Sequence, residues 1–311
     1  MARLGLGLAA IGRPAYITAG RDRDLPPGRS RSALGARSHE LLDHAYAVGI
    51  RYVDVARSYG DAERFLGSWL AERATADVFV ASKWGYTYVG DWRMDSPTHE
   101  VKSHDLATFE RQLAESRALL GDRLRLYQVH SVTPDSPLLA DRPLLRRLAY
   151  LAAQGIEVGA STSGPTQAEA IRRLLDVTVH RTRLLSSVQA TWNLLEPSAG
   201  PALAEAHAAG LRVVVKEAVA NGRLTPYGQP DPRLTRVADR HGAGVDAVAL
   251  AAALRQPWCD VVLSGAVTED QLDSNAAALR VPLDDADADA LAGLAEPAAD
   301  YWDTRARLPW A

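Results

Sequence analysis

Short β-branched runs alternate along the chain with longer stretches rich in alanine and leucine, and this alternation constrains the fold most. Strands separated by helices pair in parallel through right-handed crossovers. About eight such units favour a closed (β/α)₈ barrel of the TIM type, in the α/β class, over an open sheet. No Pro/Gly/Ser-rich linker interrupts the pattern, so we predict one domain over residues 1–311. The strand candidates are residues 4–8, 51–55, 78–83, 124–130, 155–161, 185–189, 211–216 and 260–264.

The stretches between the strand candidates carry apolar residues at helical spacing, for example Leu41, Leu42, Ala45 and Val48. Glycine follows several of them, where a left-handed residue commonly ends a helix. Residues 21–37 and 86–103 are predicted to be loops and residues 296–311 an irregular tail. The predicted helices are residues 38–48, 62–72, 107–120, 144–153, 166–175, 201–209, 233–241, 245–255 and 269–279.

Composition argues against several function classes. The formal net charge of −3 gives no basic surface for nucleic acid. The apolar run at residues 4–11 is too short to span a bilayer, so no membrane partner is expected. Cys259 is the only cysteine, which excludes an internal disulfide and a cysteine zinc site. We therefore expect a cytoplasmic protein without a metal, and nothing in the sequence indicates its oligomeric state.

Polar side chains end most of the predicted strands. In α/β barrels these ends and the loops after them form the active site. A single ionisable residue there is often structural, but several in succession favour a functional site. The residues are Asp54, Lys83, His130, Ser161, Gln189, Lys216 and Ser264, with Tyr59 just past the second strand.

Three consecutive segments resemble the aldo-keto reductase family. They are GIRYVDVARSYGDAERFLG (residues 49–67), VFVASKWG (78–85) and LRLYQVHS (124–131). The resemblance implies that Asp54, Tyr59, Lys83 and His130 are a catalytic tetrad. It also implies reduction of an aldehyde or ketone, such as a sugar or a polycyclic carbonyl, by a nicotinamide cofactor.

The chemistry explains these residue types. Hydride addition builds negative charge on the carbonyl oxygen, so a proton donor is needed beside it. Tyr59 would be this general acid, and the Lys83 ammonium would lower the pKa of its phenol. Asp54 would hold Lys83, and His130 would position the substrate oxygen.

The same resemblance implies a cofactor site. Ser161, Thr162 and Gln189 would hold the nicotinamide carboxamide, although the family usually has asparagine where Thr162 stands. Lys216 replaces a tyrosine that often stacks on the nicotinamide. The segment at residues 261–279 would bind the adenosine phosphate through Ser264, Gly265, Thr268, Gln271 and Asn275. Many members carry arginine in place of Gln271; NADPH is still favoured on family grounds, and NADH is not excluded.

Aromatic residues gather after the third and sixth strands, and aromatic walls suit sugar rings or polycyclic ketones. Trp84, Tyr86, Trp92 and Trp192 are therefore predicted to bind substrate. Charged residues in the same loop, Glu100 among them, indicate a polar, hydroxylated substrate.

Two alternatives stay open. A Schiff-base TIM-barrel lyase could use Lys83 or Lys216, because a desolvated lysine at a strand end can attack a carbonyl. A non-catalytic module could instead bind the cofactor as a redox ligand.

Overall fold

The computed structural model describes residues 3–18, 20–25, 28–73 and 77–310. Within them, eight parallel strands form a closed barrel, which confirms the predicted fold. Each strand pairs with its neighbours in sequence, and β1 closes the barrel against β8. The strands are β1 (Arg3–Gly7), β2 (Tyr52–Asp54), β3 (Phe79–Trp84), β4 (Leu124–Val132), β5 (Glu157–Thr162), β6 (Ser187–Thr191), β7 (Arg212–Lys216) and β8 (Val261–Ser264).

Strand periodicity decides which side chains point into the barrel. Tyr52, Ala81 and Leu126 belong to a buried cluster that fills its interior. Because alternate residues of a strand share a face, the residues two positions later also point inward, one layer nearer the C-terminal ends. Those residues are Asp54, Lys83 and Gln128. A polar layer therefore lies directly above the apolar one.

The helices connect the strands, and side-chain caps begin several of them. Asp105, Asp141 and Thr268 each accept a hydrogen bond from a backbone N–H in the first turn. The helices in the described ranges are α1 (Arg21–Asp24), α2 (Arg31–Ala47), α3 (Ala62–Arg73), α4 (Leu106–Leu120), α5 (Arg142–Ala153), α6 (Gln167–Leu175), α7 (Gly200–Ala208), α8 (Pro232–His241), α9 (Val245–Leu254), α10 (Glu269–Ala277), α11 (Asp285–Ala292) and α12 (Ala298–Ala306).

The three segments predicted to be irregular all contain regular structure. Residues 21–37 include α1 and the start of α2, where the Ser30 hydroxyl caps the helix and Leu34 is buried. Residues 86–103 include an antiparallel pair of strands, Tyr86–Tyr88 and Glu100–Lys102. The tail, residues 296–311, includes α12. These predictions were wrong because the polar composition of the segments concealed the few apolar residues that anchor them.

Among the residues that the structure describes, none of the helices combines the length and the apolar character needed to cross a bilayer. The single cysteine, Cys259, is buried, and burial raises the pKa of its thiol to about 12.

Candidate active site

A cavity of about 260 Å³ lies at the C-terminal end of the barrel. Asp54, Tyr59 and His130 of the predicted tetrad line it, together with Gln189 and Lys216. The fold thus brings together residues from four strands or the loops that follow them.

Lys83 and Asp54 form a buried ion pair beneath this cavity. Their side chains are 0% and 3% exposed, and the lysine ammonium donates to Asp54 Oδ1. It also donates to the Val55 carbonyl oxygen at 3.1 Å. The second carboxylate oxygen of Asp54 accepts from Gln189 Nε2 at 2.9 Å and Gln128 Nε2 at 3.4 Å. Both charges are therefore compensated by groups that the barrel holds in place.

The ring of Tyr59 lies beside the Lys83–Asp54 ion pair, and Lys83 Nζ is 4.9 Å from the ring centroid. Burial raises the pKa of the phenol well above its ordinary value, Asp54 raises it further, and Arg13 acts against both. This net direction is opposite to the lowered pKa expected from the sequence. The phenol is consequently protonated at neutral pH, which is the state a proton donor requires.

His130 faces Tyr59, with ring centroids 5.6 Å apart. Burial lowers the pKa of His130 well below its ordinary value, and the cations Lys83 and Lys216 lower it further. The imidazole is therefore neutral at pH 7. Its Nδ1 is buried without a hydrogen-bond partner in the described part of the chain.

An irregularity in β4 sets the position of His130. The pairing of β4 with β5 shifts register between Val129 and Val132, as at a β-bulge. Ser131, inside this shift, has a φ of 55°, and its N–H donates to Ser161 Oγ at 2.8 Å. The chain turns locally at the residue after the histidine, and this turn fixes where the imidazole lies.

The residues predicted for the nicotinamide end have different surroundings. Ser161 is engaged by the Ser131 N–H, whereas the Thr162 hydroxyl is buried without a partner among the described residues; neither residue is part of the cavity lining. Gln189 lines the cavity while donating to Asp54. Lys216 donates to Thr191 Oγ1 at 2.7 Å, and burial lowers the pKa of its ammonium. The buried Oδ1 of Asn221, a cavity residue that sequence reasoning missed, also has no partner in the residues described.

The residues predicted for the adenosine end lie around the start of α10. Ser264 and Gly265 line the cavity, and the Ser264 hydroxyl donates to Asn275 Oδ1 at 2.7 Å. Thr268 caps the helix, and Gln271 Oε1 accepts from the Val267 N–H at 2.9 Å. A Cβ on Gly265 would meet no atom within 4 Å. Open space at Gly265 and the unpartnered oxygen of Asn221, both in the cavity lining, fit a bound polar cofactor.

The substrate prediction needs correction at three tryptophans. Trp84 is fully buried against Phe109, with ring centroids 5.0 Å apart. Trp92 donates its indole N–H to the Arg29 carbonyl oxygen at 2.9 Å, and Trp192 packs against Trp258. None of the three is part of the cavity lining, whereas Tyr86 is.

Two charged groups that the sequence did not reveal complete the cavity. Arg13, in the loop after β1, forms an ion pair with Glu100 at 2.6 Å. Arg305, from α12, donates to both carboxylate oxygens of Glu217, at 2.6 and 2.7 Å. Burial alone would raise the pKa of Glu217, but Arg305 and Lys216 lower it to about 2. Tyr16 and Trp310 add aromatic surface to the same wall.

Comparisons with known proteins identify the family of the chain. The profile of the Aldo/keto reductase family matches residues 28–296. Protein tas of Escherichia coli (strain K12) is 28% identical over 301 residues, covering 80% of this chain and 86% of that protein. Aldo-keto reductase str7 of Strobilurus tenacellus is 25% identical over 302 residues, covering 86% and 84%.

Among solved structures, the holo form of aldo-keto reductase AKR11C1 from Bacillus halodurans has the same fold, with a TM-score of 0.71. It is 21% identical, and the match covers 95% of this chain and 93% of that one. The resemblance inferred from the sequence is confirmed. The chain belongs to the aldo/keto reductase family and is an NAD(P)H-dependent oxidoreductase.

Proposed function

We propose that the protein reduces an aldehyde or ketone to the alcohol, with Tyr59 as the general acid. One observation carries this proposal: a protonated, buried phenol lies against the Lys83–Asp54 ion pair and faces a neutral imidazole across one cavity. A general acid must be within reach of the reacting oxygen and hold its proton at working pH.

The nicotinamide, when bound, supplies a hydride ion to the carbonyl carbon. Tyr59 gives its hydroxyl proton to the carbonyl oxygen, so one O–H bond breaks on the tyrosine and another forms on the product. The positive charge of Lys83 stabilises the resulting phenolate until solvent returns a proton. Asp54 keeps Lys83 in place, and His130 hydrogen-bonds the carbonyl oxygen without adding charge.

Two groups of residues would hold the cofactor. Gln189 and Asn221, which line the cavity, would bind the nicotinamide carboxamide, because an amide offers both donors and acceptors to such side chains. Ser264, Gly265, Thr268 and Asn275 would lie along the phosphate and adenosine end, where the free N–H groups at the start of α10 suit an anion.

The surroundings of Gln271 bear on the choice of nucleotide. Its Nε2 donates to Asp24 at 2.6 Å, and Asp24 also accepts from the Tyr227 hydroxyl at 2.9 Å. If Gln271 lies near the ribose, as the resemblance implies, a 2′-phosphate would meet this carboxylate, whereas a ribose hydroxyl could donate to it. We therefore propose that NADH binds at least as tightly as NADPH, against the preference expected from the sequence.

The cavity favours a small polar carbonyl over a polycyclic one. Its volume of about 260 Å³ would have to hold the nicotinamide as well as the substrate, which leaves little room for a polycyclic molecule. Charged side chains and aromatic rings share its wall, which suits the hydroxyl groups and the apolar face of a sugar-sized molecule. We propose a short hydroxylated aldehyde or ketone as substrate.

Tyr59→Phe tests the assignment of the general acid. We expect the turnover number to fall by about 10²–10⁴-fold, because general acid catalysis contributes factors of this size. Dinucleotide binding, measured by tryptophan fluorescence, should stay near the wild-type value. Tyr150→Phe, at a position 58% exposed, is the matched control. Near-wild-type turnover of Tyr59→Phe would overturn the proposal.

A further inference from the structure

Arg13 is a buried cation beside Tyr59. Its side chain is 2% exposed, and Nη1 donates to the Ser58 carbonyl oxygen at 2.9 Å and to Glu100 at 2.6 Å. The guanidinium carbon lies 5.3 Å from the centroid of the Tyr59 ring. It also lies 5.1 Å from that of Tyr16 and 4.8 Å from that of Trp310.

Two glycines bring the loop of Arg13 against the loop of Tyr59. A Cβ on Gly12 would lie 2.3 Å from the Tyr59 carbonyl oxygen, and one on Gly60 would lie 2.8 Å from Arg13 Cβ. The Asp61 N–H donates to the Gly12 carbonyl oxygen at 2.8 Å, which ties the two loops together. The cation is thus held in one place relative to the phenol.

Packing alone does not account for this arginine. Its Nε is buried without a partner in the described residues, and such an atom costs about 1–3 kcal/mol in a protein interior. Buried polar groups that lack partners call for an explanation, which is often functional.

The charge of Arg13 opposes the groups that disfavour phenolate at Tyr59. Burial, Asp54, Glu100 and Glu217 raise the pKa of the phenol, and Arg13 lowers it. The titratable and charged groups around Tyr59 are Arg13 and Tyr16 after β1, Asp54 on β2, Lys83 on β3, Glu100 in the hairpin, His130 on β4, and Lys216 and Glu217 at the end of β7.

We propose that Arg13, held by Glu100 and by the Ser58 carbonyl, is a positioning residue that places a second cation beside Tyr59, in addition to Lys83. The inference rests on the proposed role of Tyr59 as general acid. When the phenol gives up its proton, negative charge appears on its oxygen, and Arg13 stabilises that charge together with Lys83.

The test compares two variants of Arg13 that differ in charge. Arg13→Gln is neutral and can still donate to the Ser58 carbonyl, whereas Arg13→Lys keeps the positive charge. Both lose the guanidinium plane, so the difference between them reports charge rather than packing. Arg31→Gln removes a cation that lies 4.6 Å from the centroid of Trp92, away from the cavity, and is the control.

The direct readout is ionisation of residue 59 itself. A ring-difluorinated tyrosine incorporated at this position ionises at lower pH than tyrosine and can be followed by its absorbance. If the 5.3 Å between the guanidinium carbon and the ring centroid is taken as the charge separation, an effective dielectric constant near 20 gives a change of roughly two pH units in the ionisation equilibrium. We expect Arg13→Gln to raise the apparent pKa by about one to two and to lower kcat/KM about tenfold or more.

Arg13→Lys should restore most of the wild-type apparent pKa of residue 59 and most of the wild-type kcat/KM. Arg31→Gln should change neither quantity. An unchanged ionisation in Arg13→Gln would overturn the inference, even if KM for an anionic substrate rose. Such a result would leave the role of Tyr59 intact, because that role fails only if Tyr59→Phe remains active.

Discussion

Removing the ammonium of Lys83 should destabilise the protein strongly, because it leaves Asp54 charged and buried. Breaking a buried ion pair by deleting one partner typically costs about 3–5 kcal/mol. Gln189 and Gln128 would still donate to the Asp54 carboxylate, so we expect the lower end, about 3 kcal/mol, for Lys83→Met. Asp54→Asn in the same background removes the stranded charge, and the double variant should recover about 2 kcal/mol.

Urea unfolding of the wild type, Lys83→Met and the double variant measures these differences. A double variant no more stable than Lys83→Met would refute the idea that stranded charge is the cause.

Three further outcomes test other parts of the site. Gln271→Arg combined with Asp24→Asn should tighten NADPH binding about tenfold relative to NADH, measured by fluorescence titration, because arginine pairs with a 2′-phosphate. Borohydride added with an aldehyde substrate should leave no adduct on Lys216 or Lys83, and an adduct found by peptide mapping would favour the lyase. The folded-state pKa of Glu217, about 2, lies below its ordinary value of 4.5. The Glu217 carboxylate therefore contributes about 3 kcal/mol to the free energy of unfolding above pH 4.5, and this contribution is lost as the pH falls toward 2. Glu217→Gln should make the free energy of unfolding, measured with urea, less dependent on pH in that window.

The barrel and the placement of polar residues at its strand ends could be predicted because both depend on local pattern; the catalytic roles of the tetrad residues stay a prediction. Successive side chains of a strand point to opposite faces, so a charged residue at a strand end points either into the barrel or away from it. Asp54 and Lys83 lie on the inward face, together with Tyr52 and Ala81. In a parallel barrel the C-terminal ends of the strands lie on one face, independently of the conformation of the loops. The structure adds that Gln128 and Gln189 hold the same carboxylate.

The same periodicity could have prevented the error at Trp84. If Lys83 points into the barrel, the next residue must point away from it, toward the helices. Trp84 does so and packs against Phe109. The aromatic residues after the third strand suggested a substrate-binding wall, but the alternation of side chains along β3 determines the direction in which Trp84 points.

Other features of the site depend on contacts that no local pattern encodes. Arg13 and Glu100 are separated by 87 positions, and Arg305 and Glu217 by 88. The direction of the pKa of Tyr59 depends on how deeply the folded chain buries it, which residue types alone do not reveal.

The distribution of charge in the cavity indicates which groups are free to meet an uncharged carbonyl. Lys83 is paired with Asp54, Arg13 with Glu100, and Arg305 and Lys216 with Glu217. Each cation therefore has a carboxylate beside it, although Arg305 and Lys216 share that of Glu217, and these pairs offset much of the cost of burying the charges. Tyr59 and His130 are polar and neutral at pH 7. They can exchange hydrogen bonds with a carbonyl oxygen without breaking an ion pair, which supports the proposal that these two groups act on the substrate.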